Sequence, residues 1–215
     1  MGTMEEARGK RNELAAQRVI KALESRHMTG YYAATKEEAL QLALSLIPEG
    51  STIGSGGSYT SHQIGLIEAI RNGNYNFLDR EAVEDRDERM EVSRQCLLSD
   101  VFLMGSNAIT EDGQLVNMDG IGNRVAALCF GPKSVIVVVG MNKLTKTLDE
   151  AISRVRNTAA PINAFRFPGD TPCREYGICG DCKKDSCICC QLVVTRGSMT
   201  PGRVKVILIG EELGY

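Results

Sequence analysis

The chain has 215 residues, 43% of them hydrophobic, and a formal net charge of −2. That hydrophobic content excludes a disordered chain, and the length can bury a sizeable core. The near-neutral balance shows neither the basic surplus nor the basic stripe of a nucleic-acid binder, and no apolar run reaches the ~18 residues that a spanning helix needs. The opening residues are charged throughout (Glu5, Glu6, Arg8, Lys10, Arg11, Glu13) and lack the apolar core of a signal peptide. The expected location is the cytoplasm, where disulfides are rare, so the eight cysteines point to metal or redox chemistry.

In chain order, Ala16, Val19, Ile20 and Leu23 fall at helical spacing and predict a helix over 5–26. Residues 31–34 suit a short strand. Thr35 and Glu38 form a capping box ahead of a helix whose face is Leu40, Ala43, Leu44 and Ile47, ended by Pro48 and Gly50. A strand at 51–53 runs into a Gly-rich turn. A helix carrying Leu66, Ile67 and Ile70 follows, then a strand at 76–78. Residues 81–98 read as a helix, with 81–94 a solvated charged face. A strand at 101–104 precedes a polar stretch, 107–123, that holds one short strand at 115–116. Residues 124–130 form a short helix stopped by Gly131 and Pro132. The β-branched run 134–139 predicts a strand covered on both faces. Thr147 and Glu150 cap a helix that Pro161 closes, and two strands, 192–195 and 204–209, finish the chain. The alternation predicts an α/β fold, a mostly parallel sheet with helices on both faces, with a cysteine-rich insertion before the last strands. One domain over 1–215 is expected.

Six of the eight cysteines lie within 173–190: Cys173, Cys179, Cys182, Cys187, Cys189 and Cys190. Cys179 and Cys182, two residues apart, let a tight turn aim both sulfurs at one ion. Gly177 and Gly180 are expected to supply the turn's unusual backbone angles, and Lys183 and Lys184 to lower the thiol pKa values. An iron–sulfur cluster leads zinc, because zinc sites more often show two C-x2-C knuckles and only one is clear here. Cys96 and Cys129 sit in apolar helical contexts and read as small buried hydrophobes.

Gly54, Ser55, Gly56, Gly57, Ser58 and Thr60 lie between a strand and a helix, where backbone N–H groups and hydroxyls can converge on an anion. The segment lacks the Lys of a P-loop and the third Gly of a dinucleotide fingerprint. A tight β–α connection with a Ser cap is the competing reading. His62 follows closely. Residues 107–124 come after a strand end, where open α/β sheets bind ligands. Asp119 can serve as a base, Asn123 as an orienting amide and Arg124 as an anion clamp, with Asn107, Asn117 and Gly120 beside them. A hairpin turning at Asp112 and Gly113 is the structural alternative.

Three segments together resemble the LUD-domain family, the lactate-utilisation protein B/C-like group: Ile53-Gly54-Ser55-Gly56-Gly57-Ser58, the run from Asn107 to Ala126, and that from Gly131 to Gly140. The helix running from Arg154 to Ala164 fits as well, and the resemblance covers about residues 10–215. It implies a relative of the ribose-phosphate isomerase, glucosamine-phosphate deaminase and CoA-transferase fold, in which the Gly-rich turn commonly holds a phosphate or carboxylate. Long family members with a cysteine tail imply Cys173, Cys179, Cys182 and Cys189 as ligands of a four-iron, four-sulfide (4Fe-4S) cluster. Here Cys190 stands where Asn is usual and Cys187 is extra. The resemblance further implies a small anionic metabolite, iron–sulfur or flavin redox proteins as partners, and a fold type that admits a homodimer.

The function expected is a redox accessory of organic-acid, lactate-type utilisation. The alternative is a non-redox isomerase, hydrolase or transferase acting on a phosphorylated or carboxylated small molecule. In it the metal is structural or Lewis-acidic, and Asp119, Glu111 or His62 transfers protons.

Overall fold

The structure, a computed structural model, describes residues 2–215. Helix α1 (Met4–Glu24) opens on a full capping box: Glu6 N–H donates to Thr3 Oγ1 at 3.1 Å, and Thr3 N–H to Glu6 Oε2 at 2.6 Å. Then come β1 (Thr29–Ala33), α2 (Lys36–Ser45), β2 (Thr52–Ser55), α3 (Tyr59–Gln63), α4 (Leu66–Asn72), β3 (Asn76–Leu78), α5 (Arg86–Gln95) and β4 (Val101–Gly105). The second half contains β5 (Ala108–Thr110), β6 (Leu115–Asp119), α6 (Asn123–Cys129), β7 (Ser134–Gly140) and β8 (Leu144–Thr145). Helices α7 (Leu148–Arg154), α8 (Ala160–Ala164) and α9 (Pro172–Tyr176) precede β9 (Gln191–Thr195) and β10 (Val204–Ile209).

Six strands form an all-parallel sheet in the order β1-β10-β7-β4-β2-β3. Side chains alternate along a strand, so the β-branched run of β7 serves two cores at once. Val135, Val137 and Val139 join α1 and α6 on one face, while Ile136 and Val138 join α2 and α4 on the other. The expected α/β fold with helices on both faces is the fold observed.

A second sheet, β8-β5-β6-β9, is not visible in the periodicity. The polar stretch after β4 holds two antiparallel strands, turning at Gly113 with φ +86, and β9 pairs with β6 rather than joining the main sheet. Three-residue strands such as β5 are too short to show alternation. The sheet packs Ile109 and Leu115 against the main core and Ala108 and Val116 against α7.

Other boundaries shift for local reasons. The charged helix starts at Arg86, where the Asp85 carboxylate accepts from Asp87 and Glu88 N–H at 2.9 Å each. The α7 helix does not close at Pro161. Residues Val155–Ala159 widen into a π turn, Ala160 N–H reaching Val155 O, and the chain stays helical to Ala164. A widened turn re-routes the bonds that Pro161, lacking an N–H, cannot make. Cys96 is buried as expected, but Cys129, the last residue of α6, is exposed.

The crossover after β2 runs through α3 and α4 on one face, and that after β4 runs through α6 on the other. These neighbouring strands therefore make a topological switch point, and a crevice opens outside their carboxyl ends. Because Ile136 is fully buried in the central strand, Ile136→Ala should lower stability by about 2–5 kcal/mol. Urea denaturation followed by circular dichroism will show this as a lower midpoint, the chain having no tryptophan.

Candidate functional site

The crevice at the switch point is a cavity of about 530 Å³. The turn after β2 forms one wall, with Gly56, Gly57, Ser58 and Thr60. Gly57 takes φ +70, a left-handed conformation that favours glycine. The Ser58 hydroxyl accepts from Ser61 N–H at 3.2 Å, so the expected Ser cap and the cavity wall are the same residue. Gly54 and Ser55 lie behind this wall inside β2. A Cβ on Gly54 would stand 2.8 Å from Cys96 Cβ, so close packing fixes that glycine.

The loop after β4 and the end of β6 form the second wall, with Asn107, Asp119, Gly120, Asn123 and Arg124. Arg124 is held on all sides by protein. Its Nη1 donates to Asn117 Oδ1 at 2.5 Å and Gly105 O at 3.2 Å, and its Nη2 to Met118 O at 2.6 Å and Asn107 Oδ1 at 3.1 Å. Both terminal nitrogens are thus occupied, and the side chain shapes the wall. Asp119 is likewise anchored, accepting from Gly120 N–H at 2.8 Å and Val125 N–H at 3.1 Å at the start of α6. Asn117 lies just behind the wall and braces Asn107, whose N–H donates to Asn117 Oδ1 at 3.3 Å.

Two residues expected to transfer protons lie outside the cavity lining. Glu111 sits at the β5–β6 turn and faces Arg18 at 3.7 Å. His62 points to Glu81, Nε2 to Oε2 3.1 Å, and it is Glu81 that lines the cavity.

The periodicity also hides four cationic residues of the lining: Arg80, Arg89, Lys143 and Arg166. Arg80 follows β3 and Lys143 follows β7, so the rule that ligands bind at strand carboxyl ends was the available signal. Arg89 and Glu81 belong to the charged run expected to face solvent. The Nε of Arg80 is buried with no hydrogen-bond partner among the described residues. Arg166 lies 6.0 Å from the Tyr59 ring centroid and donates to Tyr215 Oη at 2.8 Å. With Arg124, the lining holds five cationic side chains against two carboxylates, Glu81 and Asp119.

Lys143 is 4% exposed. Its Nζ donates to Thr60 Oγ1 at 3.0 Å, and no carboxylate pairs with it among the described residues. Burial first, then the positive charges of Arg154 and Arg124, push its pKa down to about 7.

The third wall belongs to the cysteine segment. Ile188 lines the cavity between Cys187 and Cys189. The segment is fastened there by Cys190 N–H donating to Asp119 O at 2.9 Å, and a Cβ on Gly120 would come within 3.3 Å of Ile188 O. The thiols crowd one another. The Cys189 thiol is pushed up to about 12 by burial, then by Cys187, Cys179 and Cys173. Burial and Cys187 raise Cys182. The net direction of both thiols is upward: Lys184 lowers Cys182 only through its backbone N–H, its ammonium being paired with Asp170 at 2.7 Å. Gly177 does take φ +75, but the second left-handed residue is Asp181 at φ +50. Gly180 instead gives room to Pro172, whose Cβ a side chain would meet at 3.0 Å. Among the described residues, no three His, Cys, Asp or Glu side chains stand at single-ion geometry. The donors do suit a thiophilic group: several soft sulfurs crowded together ionise readily only when cations share the charge.

A parallel sheet covered on both faces, with its cavity at the carboxyl edge, defines the class as α/β. Within that class the chain belongs to the LUD domain family, whose model matches residues 16–209. A DUF162 family protein from Deinococcus radiodurans, known from a crystal structure, has a similar fold. The TM-score is 0.53 at 16% identity, over 92% of this chain and 98% of that one. No curated protein sequence matches the chain. No helix among the described residues is long and apolar enough to cross a membrane.

Replacing Arg124 by Met leaves Asn107, Asn117 and two carbonyls without their donor. Stability should fall by at least about 2 kcal/mol, read from urea midpoints. Lys143 gives a signed pH effect. Below about pH 7 both folded and unfolded chains carry the proton, and the full cost of burying the charge is present. Between there and the ordinary 10.5 the unfolded chain binds more protons, so this residue makes stability rise with pH. Lys143→Met should lack that rise, in urea titrations from about pH 6 to about pH 9.

Proposed function

We propose that this LUD domain protein binds a small anionic metabolite in the cavity and an iron–sulfur cluster on the neighbouring cysteines, as a redox accessory of lactate-type organic-acid utilisation. The observation that carries this reading is the shared wall: Ile188 faces the cationic cavity while Cys187 and Cys189 flank it. Family membership supports the metabolic setting. An excess of cations in a partly closed crevice selects carboxylates and phosphates over neutral compounds. Arg80, with its unpartnered Nε, and Arg166 at the mouth are the cations that would meet the anion.

Cys173, Cys179, Cys182 and Cys189 would hold the cluster, with Cys187 close enough to compete for a position. A cluster binds each thiolate to a different iron and so suits a wider group of sulfurs than one zinc ion does. When bound it would supply one-electron transfer. The chain's own part is to hold the anion, screen it with Tyr59 and Tyr215, and keep it against the Ile188 wall.

The first test is iron and sulfide content of anaerobically purified protein, with the absorption spectrum before and after dithionite. About four irons and four sulfides with a bleachable band support the reading; one zinc and no colour would sink it. Calorimetry with lactate and pyruvate tests the cavity. Arg80→Ala and Arg166→Ala should each weaken binding about tenfold or more, and unchanged affinity in both would remove the cavity from the proposal. The second reading, a non-redox enzyme acting on a phosphorylated or carboxylated substrate, is favoured by one feature, the buried amine of Lys143.

A further inference from the structure

Lysines are ordinarily solvated or paired. In this chain Lys133 pairs with Asp100 at 2.8 Å and Lys184 with Asp170 at 2.7 Å. The half-buried Lys205 is satisfied by Ser134 Oγ and Gly202 O, both at 2.8 Å. Lys143 differs from all three. It lines the cavity, is almost wholly buried, and among the described residues has a single hydroxyl as partner, Thr60 Oγ1. Both charged groups acting on it, Arg154 and Arg124, are cations. Among the described residues no carboxylate stabilises an ammonium there, and a scaffold that wanted only a buried apolar spacer would use Met or Leu. A buried amine among cations is the setting in which lysine becomes a nucleophile toward carbonyl groups.

We propose that Lys143 forms an imine with a small carbonyl compound that carries an anionic group, held in this cavity. The Nζ lone pair adds to the carbonyl carbon, and the carbonyl π pair moves to oxygen, which takes up a proton. The C–O bond then breaks, the oxygen leaves as water with a second proton taken from solvent, and a protonated C=N bond, the iminium, remains. The Thr60 hydroxyl, hydrogen-bonded to Nζ, is placed to carry a proton from nitrogen to oxygen. No oxidant or reductant enters. Arg80 and Arg166 of the lining take the anionic end of the compound, so the proposal rests on the anion-binding reading of the cavity. The product iminium draws electrons from the adjacent carbon and makes a proton there easier to lose. An α-proton exchange activity therefore belongs to the proposal.

The test uses the full chain with sodium cyanoborohydride and two probes, pyruvate for a carboxylate anchor and glycolaldehyde phosphate for a phosphate anchor. Peptide mass mapping locates the reduced adduct, and calorimetry without reductant reads binding separately. The expected result is a near-stoichiometric adduct on Lys143 with one probe, lost in Lys143→Arg. The trapping rate should level off above about pH 7, where that of a solvated lysine keeps rising. On the wild-type chain alone, proton NMR in deuterated water should show accelerated exchange at the carbon next to the trapped carbonyl. Binding of either probe with adducts absent, or scattered over surface lysines, overturns the imine and leaves the anion reading standing. Absence of binding by both probes overturns the two together.

Discussion

The guanidinium of Arg124 ties the carboxyl end of the parallel sheet to the smaller sheet. One of its nitrogens reaches Gly105 O at the end of β4 in the parallel sheet, while the other reaches Met118 O in β6 of the smaller one. Asn107 and Asn117 close the ring by accepting from the same group. Desolvation alone would lower its pKa, and the Asp119 carboxylate, 3.8 Å away, opposes this. Such a charge is tolerable in the interior because four carbonyl-type oxygens and the Asp119 carboxylate surround it. The cavity inherits its second wall from this arrangement, since Asn107, Asp119 and Arg124 all take their positions from it.

Each wall of the cavity then comes from a separate level of organisation. The Gly-rich turn is placed by the parallel sheet, the Asp119 region by the small antiparallel sheet, and Ile188 by the cysteine segment fastened to the edge of β6. The cations Arg80 and Lys143 stand where strands β3 and β7 end. Convergence at strand carboxyl ends is a property of parallel sheets in general. What distinguishes this chain is the combination of uncompensated positive charge with a crowded set of thiols one residue beyond the wall.

Much of this was legible in the residues. The β-branched run of β7 announced a strand buried on both faces, and the capping threonines Thr35 and Thr147 marked true helix starts. The glycine turn and residues 107–124 were singled out because polar, Gly-bearing segments after strands are where α/β sheets bind ligands, and residues of both segments line the cavity. A hairpin turning at Gly113 and strands at 115–116 and 192–195 were expected, but their union with β8 in a separate sheet escaped because β5 and β8 are only three and two residues long. Arg80, Arg89 and Arg166 escaped because an arginine in a surface-like context carries no local sign that tertiary folding will turn it inward. Lys143 follows an apolar strand and shows its character only once Thr60, Arg124 and Arg154 surround it. Residues such as Glu111 and His62 have suitable chemistry, but the turn and helix that carry them face elsewhere.

The bond from Cys190 N–H to Asp119 O has a consequence for how the two halves of the site communicate. Ile188 is a wall of the cavity and a link in the thiol segment, so any event that tightens or loosens that segment changes the space left beside Gly120. Coupling of this kind is reciprocal: if ordering of the cysteines favours an occupied cavity, occupancy favours the ordered cysteines by the same free energy. Were the proposed anion and cluster both bound, the loop would let the state of the sulfurs set the grip on the anion, and the anion set the stability of what the sulfurs hold.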